Sequence, residues 1–541
     1  MVGRMRRRWV ALAVFLLFLL PAGAFALNDS VARTPPMGFS TWNYFGCTGI
    51  TQGNVLAVAN AMTLVHAPNW EGKQISLKSA GYSYINLDDC WQAAGRNANG
   101  SPTWNTTKFP NGFPWLVDTI HAMGLKIGIY SDAGLETCQK FFGTTGHDSI
   151  DACTYQAWGF DYLKFDWCNV THADSNQIAC DSLYSSMGHW LIKADSLAYL
   201  ADTAANKQHH RIVFSICDWG TYSPWLWGDT DGNLWRTTLD INTSWGSIYG
   251  NWNQNIALYS YAGPGGWNDP DMLEIGNLGT STLATTRSQS HMDMWCICAA
   301  PLLMGNDIIT MTAATFTVLS NREVIAVDQD SLGYQGRRIR TAGNVQVVVK
   351  KLLVHNPDTV DNKKYAVVIL NNDSTAAAAG SIKWSDLGIT DTSKQFRVRN
   401  LWLHRWLKSR SITDTATPGN ADTTTLITDS LYITSIPADG TVHVLMEMGN
   451  PDSVPSVTSV RPQDNAAVAA RMSVRGNAIY IPVARGTVQV FDMQGRQIAS
   501  VSASQPGWYT VAGRGMVRGG TYLVRLATSA GSVSRVMAFV K

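Results

Sequence analysis

Charge is scarce in this chain: acidic and basic residues make up 15% of its 541 positions, against roughly 25% in an ordinary soluble protein. Clustered basic residues are missing from the main body. Residues 1–26 carry four arginines and no acid, and residues 466–541 carry nine basic residues against Asp492 alone, so the overall +2 leaves −10 on residues 27–465. A body of that sign offers no basic face for phosphates, which excludes nucleic-acid binding there. No apolar run after residue 26 reaches the roughly 20 residues that span a bilayer, so no transmembrane span is expected once the N-terminus is removed. Cysteine is limited to nine positions, all between Cys47 and Cys298; the odd number leaves at least one thiol unpaired. Internal repeats of solenoid type and long low-complexity tracts are absent.

Aromatic residues, by contrast, are plentiful, with Trp 21, Tyr 18 and Phe 16. They suit surfaces that stack on flat apolar faces such as those of sugars. Only Trp42, Trp91, Trp167, Trp219 and Trp267 fall at the ends of strand-like runs; the others read as core. The N-terminus has a basic start (Arg4, Arg6, Arg7, Arg8), an apolar run from Trp9 to Leu20, and Ala22-Gly-Ala-Phe-Ala26. This is the pattern of a signal peptide cleaved before Leu27; the apolar run is short for a permanent anchor. Export to an oxidising compartment would allow the cysteines to pair.

Eight short apolar or aromatic runs ending in polar residues follow: 37–42, 82–89, 126–132, 162–167, 212–219, 234–241, 266–272 and 302–308. The stretches between them are long enough for right-handed crossover helices. The pattern predicts an α/β fold whose catalytic part is a (β/α)8 TIM barrel over 27–330. Residues 331–448 switch to alternating segments and turns and read as an antiparallel β-sandwich domain. A Pro- and Ser-rich linker over 449–465 and a small C-terminal β-domain over 466–541 complete the chain.

Polar residues collect at the C-terminal ends of the barrel runs: Asp88, Asp89, Asp132, Asp166, Asp218, Asp240, Asn268, Asp269 and Asp271. In such barrels that end carries the active site. Capping of the following helix suits Asp132 and Asp269, but not the whole ring. Two carboxylates in one pocket are what glycoside hydrolysis requires. Asp166 and Asp240 are the favoured pair. Lys164, two residues before Asp166 on the same face of its strand, should keep that carboxylate ionised. Asp240, among other acids, should have a raised pKa and hold the acid proton. Asp269 and Asp271 are the alternative to Asp240. His209-His210 and Asp229-Thr-Asp231-Gly232 lack the partner residues of a metal site.

Thr34-Pro-Pro-Met-Gly38 with Trp42-Asn43, Asn86-Leu-Asp-Asp-Cys-Trp91, Tyr162-Leu-Lys-Phe-Asp166 and Gly263-Pro-Gly-Gly-Trp-Asn-Asp-Pro-Asp-Met-Leu273 resemble glycoside hydrolase family 27, the α-galactosidases. The likeness is colinear from about Thr34 to Gly333. It implies a retaining α-galactosidase without metal or organic cofactor, acting on terminal α-D-galactosyl residues. Asp166 would be the nucleophile and Asp240 the acid/base. By the same resemblance Asp88 and Asp89 bind the C4 and C6 hydroxyls, and Lys164 those at C3 and C4. Trp42 packs on the apolar face of the sugar, Tyr130 lines the pocket, and Arg236 with Asp218 holds the 2-hydroxyl. Cys47 with Cys90 and Cys138 with Cys168 match family disulfides. Cys153 with Cys180 is a plausible further bridge; Cys217, Cys296 and Cys298 read as buried thiols.

One departure stands out. The family pattern Cys-Glu-Trp is here Cys217-Asp218-Trp219, which keeps the acid and argues against an α-N-acetylgalactosaminidase. It leaves β-L-arabinopyranosidase and isomalto-dextranase open beside α-galactosidase. A non-catalytic sugar-binding protein is disfavoured by the presence of both Asp166 and Asp240. In the tail, Val488-Gln-Val-Phe-Asp-Met-Gln-Gly-Arg496, Gly519-Gly-Thr-Tyr-Leu-Val-Arg525 and the terminal 536–541 segment resemble a C-terminal sorting domain of the type IX secretion system. That resemblance implies export by its machinery to the cell surface or medium; an accessory β-sandwich is the alternative.

Overall fold

The computed structural model describes residues 31–448 apart from 67, 172–175, 206–210, 355–362, 408–410 and 413–425, and beyond them seven strands between 473 and 538. The expected signal peptide (1–26), the linker (449–465), His209-His210 and the turn between Asp492 and Arg496 lie outside the described residues.

Eight parallel strands build the barrel: β1 (Met37–Ser40), β2 (Tyr84–Asn86), β3 (Lys126–Asp132), β4 (Tyr162–Asp166), β5 (Val213–Cys217), β6 (Leu234–Arg236), β7 (Trp267–Asp269) and β8 (Leu302–Met304). Their order is β7-β6-β5-β4-β3-β2-β1-β8. Closure comes just past β7, where Leu273 bridges Met304; the Leu273 amide donates to Leu303 O at 2.7 Å and the Gly305 amide to Leu273 O at 2.9 Å. Each strand falls within a run expected from the sequence, several of them shorter. Strand β6 stops five residues before Ile241 because backbone groups there serve side chains instead of a neighbouring strand. Arg236 donates to Thr238 O, and the Ile241 amide donates to the Asp271 carboxylate.

Alternation along each strand sorts the side chains. Outward-facing Phe39, Ile85, Ile129, Leu163, Phe165, Phe214, Ile216 and Trp235 share one buried core with helix residues such as Val55, Leu116, Tyr155 and Tyr184. The opposite parity faces the barrel axis. At its N-terminal end Tyr84, Tyr162, Val213, Leu234 and Trp267 pack with Ala299 into a separate apolar floor. Above the floor the inward positions turn polar. Gly128 is required there: a Cβ would lie 2.3 Å from Asn86 Oδ1 and 2.9 Å from Tyr162 Cβ.

The β-domain that follows has one sheet built on Arg337–Ala342, Val345–Lys351, Lys364–Asn371, Thr441–Met448 and Gln395–Asn400. A second carries Ala378–Lys383 and Ser430–Ile436. Val347, Ile369, Ile382, Trp384, Phe396, Ile433 and Val444 form the core between them. A buried hub joins this domain to the barrel helix Thr282–Ile297. Asp293 accepts from Trp402 Nε1 and Thr441 Oγ1 and lies 2.7 Å from His443 Nδ1. The strands after 473 form two antiparallel sheets of three and four strands. Among the described residues no helix is long and apolar enough to cross a membrane.

Candidate active site

The C-terminal ends of the strands bring Asp88, Asp166, Asp240, Asp269 and Asp271 together with Lys164 and Arg236 around one opening, whereas Asn268 turns into the helical layer, accepting from Trp235 Nε1 at 2.7 Å and donating to Leu258 O and Gln335 Oε1. The Thr41 hydroxyl, just past β1, accepts from the Asp88 amide at 2.9 Å, and the Cys47–Cys90 disulfide ties the same two loops. Lys108 braces that link, donating to Cys47 O and Cys90 O. Trp42, half-buried, opens the helix after β1. Asp88 and Asp89 are both buried. Asp89 accepts from the Gln139 amide at 2.9 Å, so a loop after β3 comes over to hold it.

On β4 the strand alternation puts Lys164 and Asp166 on the axial face, with Phe165 turned into the helical layer. Lys164 Nζ lies 2.9 Å from Asp88 Oδ2 and 3.9 Å from Asp166 Oδ2, and sits over the buried Tyr130 ring at 5.4 Å. Burial works against the ammonium, but Asp88, then Cys217, Asp166 and Asp240, hold it well above the usual lysine value. Asp166 is itself buried. Burial lifts it to about 6 against the pull of Lys164, and Asp88 and Asp240 push the same way as burial.

The Cys138–Cys168 disulfide closes the loops on either side of β4. Asp132, which the sequence assigned to a helix cap, instead braces these loops, accepting from the amides of Gly134 (2.7 Å) and Cys168 (2.9 Å). Burial and the neighbouring Asp166 keep its carboxyl well above the ordinary range. Asp132, Cys138 and Cys168 bring metal-ligand types within 4.8 Å of one another, but the two sulfurs are bonded to each other and offer no thiolate.

Arg236, at the end of β6, is the second cation of the site. Its Nη2 reaches Asp240 Oδ1 at 3.0 Å and Asp271 Oδ2 at 3.1 Å, and its Nη1 points to Cys217 Sγ at 3.6 Å. Asp240 lies at the rim, its side chain 72% exposed. Partial burial raises its pKa, but Arg236 and Lys164 outweigh that and hold it below the usual carboxylate range. The order expected from the sequence, an ionised Asp166 and a raised Asp240, is therefore reversed. The physical reason is depth: Asp166 lies in the buried axis and Asp240 is exposed beside a guanidinium.

The structure does not bring Asp218 onto Arg236. Both of its oxygens go to its own turn, accepting from the amides of Gly220 (3.0 Å) and Tyr222 (3.1 Å), and no ion pair joins it to Arg236 among the described residues. Burial lifts it to about 6. Of the tryptophans at strand ends, Trp91 is buried with Nε1 on Tyr130 O, and Trp267 lies in the floor with Nε1 on Ala32 O. Both serve the core. Trp167 stacks on Tyr184. Cys153 and Cys180 are free, one exposed and one buried, so the plausible third bridge is not formed; Cys217, Cys296 and Cys298 are buried free thiols.

Sequence reasoning overlooked the Thr41 and Gln139 contacts and the place of Cys217 beside Asp166 and Arg236. Thr41 and Gln139 carry no motif, and their roles come from backbone geometry. Cys217 could have been found, since parallel register sets it beside Asp166.

Two sequence profiles match this architecture: "Alpha galactosidase A" over residues 34–330, and "Alpha galactosidase C-terminal beta sandwich domain" over 342–427. The alpha-galactosidase of Cyamopsis tetragonoloba is 39% identical over 378 residues, covering 70% of this chain and 82% of that one. Alpha-galactosidase A of Cellvibrio japonicus is 36% identical over 359 residues, with 64% and 78% covered. The crystal structure of alpha-galactosidase I from Mortierella vinacea has a TM-score of 0.65 at 30% identity, over 77% of this chain and 98% of that one.

Proposed function

This chain belongs to the alpha galactosidase A family, and from that membership we propose how its residues divide the work of α-galactoside hydrolysis. The protein is a glycoside hydrolase of α-galactosidase activity. In our reading Asp166 attacks the anomeric carbon from the buried axis. Asp240 protonates the leaving oxygen at the rim and then deprotonates the incoming water, giving retention. The observation that carries this assignment is the contrast between the two carboxylates. One is buried beside Lys164 and the other exposed beside Arg236, which suits a nucleophile facing the sugar and an acid/base facing the leaving group and solvent.

In the same reading Lys164 and Asp88, joined at 2.9 Å, contact adjacent hydroxyls, with Asp89 beside them and Trp42 and Tyr130 as walls. Arg236 would reach the 2-hydroxyl without Asp218. The single proton that the pair must hold belongs to the two carboxyls together. Chemistry needs it on Asp240, so bound sugar must favour that arrangement over the one in which Asp166 holds it.

The test is direct. Asp166→Ala should abolish release of nitrophenol from the α-D-galactopyranoside, and proton NMR should show the α-anomer of galactose as the first product of the parent. Full activity of that variant, or first release of the β-anomer, would remove Asp166 as nucleophile. The β-L-arabinopyranoside run alongside measures whether Asp88 and Asp89 require C6. We further infer export through the signal sequence at 1–26 and type IX sorting through 466–541, supported by the residue patterns quoted above. A fusion of residues 449–541 to a periplasmic reporter, followed to the medium, checks this.

A further inference from the structure

Asp271, offered by the sequence as an alternative to Asp240, takes no part in the reaction proposed above. It follows β7 in Trp267-Asn-Asp-Pro-Asp271, is 6% exposed, and has φ +81°, a backbone state that costs most residues energy and that, after glycine, Asn and Asp tolerate best. Four contacts hold it there. Its amide donates to Asp269 Oδ1 at 2.8 Å, its carbonyl accepts from Trp295 Nε1 at 2.8 Å, and its carboxylate faces the site. Oδ2 accepts from the Ile241 amide at 2.8 Å and lies 3.1 Å from Arg236 Nη2.

The same Nη2 is 3.0 Å from Asp240. One guanidinium nitrogen is thus shared by two carboxylates, one fixed in the core and one free at the rim. The fixed carboxylate also holds the backbone of the residue that follows Asp240. We propose that Asp271 is a positioning residue for the acid/base: it anchors Arg236 and the Asp240–Ile241 segment together, and it holds the guanidinium so that Asp240 can gain and lose its proton without releasing it.

The proposal rests on the assignment of Asp240 above. The charged and titratable groups around this cluster among the described residues are Lys164 and Asp166 on β4, Cys217 on β5, Arg236 on β6, Asp269 beside Asp271 itself, and the buried Glu274 after it. Arg236 is the nearest cation to Asp240. With Asp271 neutral, its charge would bear on Asp240 alone and hold that proton less tightly. The sign is therefore fixed: loss of the Asp271 charge moves the Asp240 titration to lower pH.

The experiment compares Asp271→Asn with the parent and with Asp240→Asn, each measured for kcat against pH, which reports the sugar-bound state in which Asp240 holds the proton, on nitrophenyl α-galactoside and on an α-linked galactosyl disaccharide. The limb that Asp240→Asn removes should move down by about one pH unit in Asp271→Asn, the size expected for an unshared charge at this range. At neutral pH the disaccharide, whose leaving group needs the proton, should lose about ten-fold more than the nitrophenyl substrate. An unmoved limb with equal losses on both substrates would mean a purely structural part and overturn the proposal. If Asp240→Asn keeps both limbs and full disaccharide turnover, it is the acid assignment that fails. Should Asp271→Asn not melt like the parent, Asp271→Ser keeps an acceptor for the Ile241 amide without the charge, and Asp271→Glu should restore the limb.

Discussion

Lys164 Nζ lies 2.9 Å from Asp88 Oδ2, in a pair whose side chains are 20% and 4% exposed. This contact joins the C-terminal end of β2 to the strand that bears Asp166. Lys164→Met would leave Asp88 and Asp166 as buried neighbours without a cation. Breaking such a pair costs about 3–5 kcal/mol, and the loss should be largest above pH 6, where Asp166 must ionise. The Asp166 pKa, already about 6, should rise further, so the activity limb that depends on its ionisation moves to higher pH. Melting curves and kcat/KM profiles of the one variant check both outcomes.

Asp218 gives both oxygens to its own turn. Asp218→Ala should therefore act on stability, leaving two amides without acceptors at about 1–3 kcal/mol each. KM for an α-galactoside should change much less than it would for a lost sugar contact. A large rise in KM with an unchanged melting temperature would return Asp218 to the pocket.

Reduction of the Cys138–Cys168 bridge should loosen the loops that carry Asp132 and the segment after Asp166. The double variant Cys138→Ser, Cys168→Ser is expected to lose about 2–4 kcal/mol. Because Tyr130 Oη donates to Cys138 Sγ at 3.3 Å, KM should rise as well. Denaturant titration and steady-state kinetics separate the two effects.

Asp328 is fully buried, with Oδ1 lacking a hydrogen-bond partner among the described residues, and burial lifts its carboxyl to about 8 against the nearby Lys350. Folding therefore binds a proton that the unfolded chain releases above about pH 4. That stability is complete at low pH and is lost as pH climbs through the folded value. Asp269, raised to about 6 mainly by burial, adds the same slope lower down. The melting temperature should rise as pH falls from about 8.5 to about 5.5, and Asp328→Asn should flatten the upper part of that change. A melting temperature that falls over this range, with Asp328→Asn steepening it, would contradict the sign.

Much of this was written in the residues. The eight strands could be placed because most of them end an apolar run on a polar residue, and the floor and helical layers follow from alternation. The electrostatics could not be read in the same way. Nothing in Leu239-Asp240-Ile241 says that Asp240 stands exposed beside Arg236, because that depends on where the chain turns after β6. The capping of Asp218 was hidden for a related reason: a shortened acid in a family motif looks like a retained ligand until the amides of Gly220 and Tyr222 are seen to reach it. Cys153 and Cys180 illustrate a third limit, since suitable spacing along a chain does not bring two sulfurs together.

The apolar floor of Tyr84, Tyr162, Val213, Leu234 and Trp267 makes the barrel a cup and not a pipe. A polysaccharide cannot be threaded through such a vessel, so a polymer must present a galactosyl branch or chain end and withdraw after each cut. Freed galactose has to leave by the mouth through which the next sugar enters. Galactose itself should therefore compete with every incoming substrate.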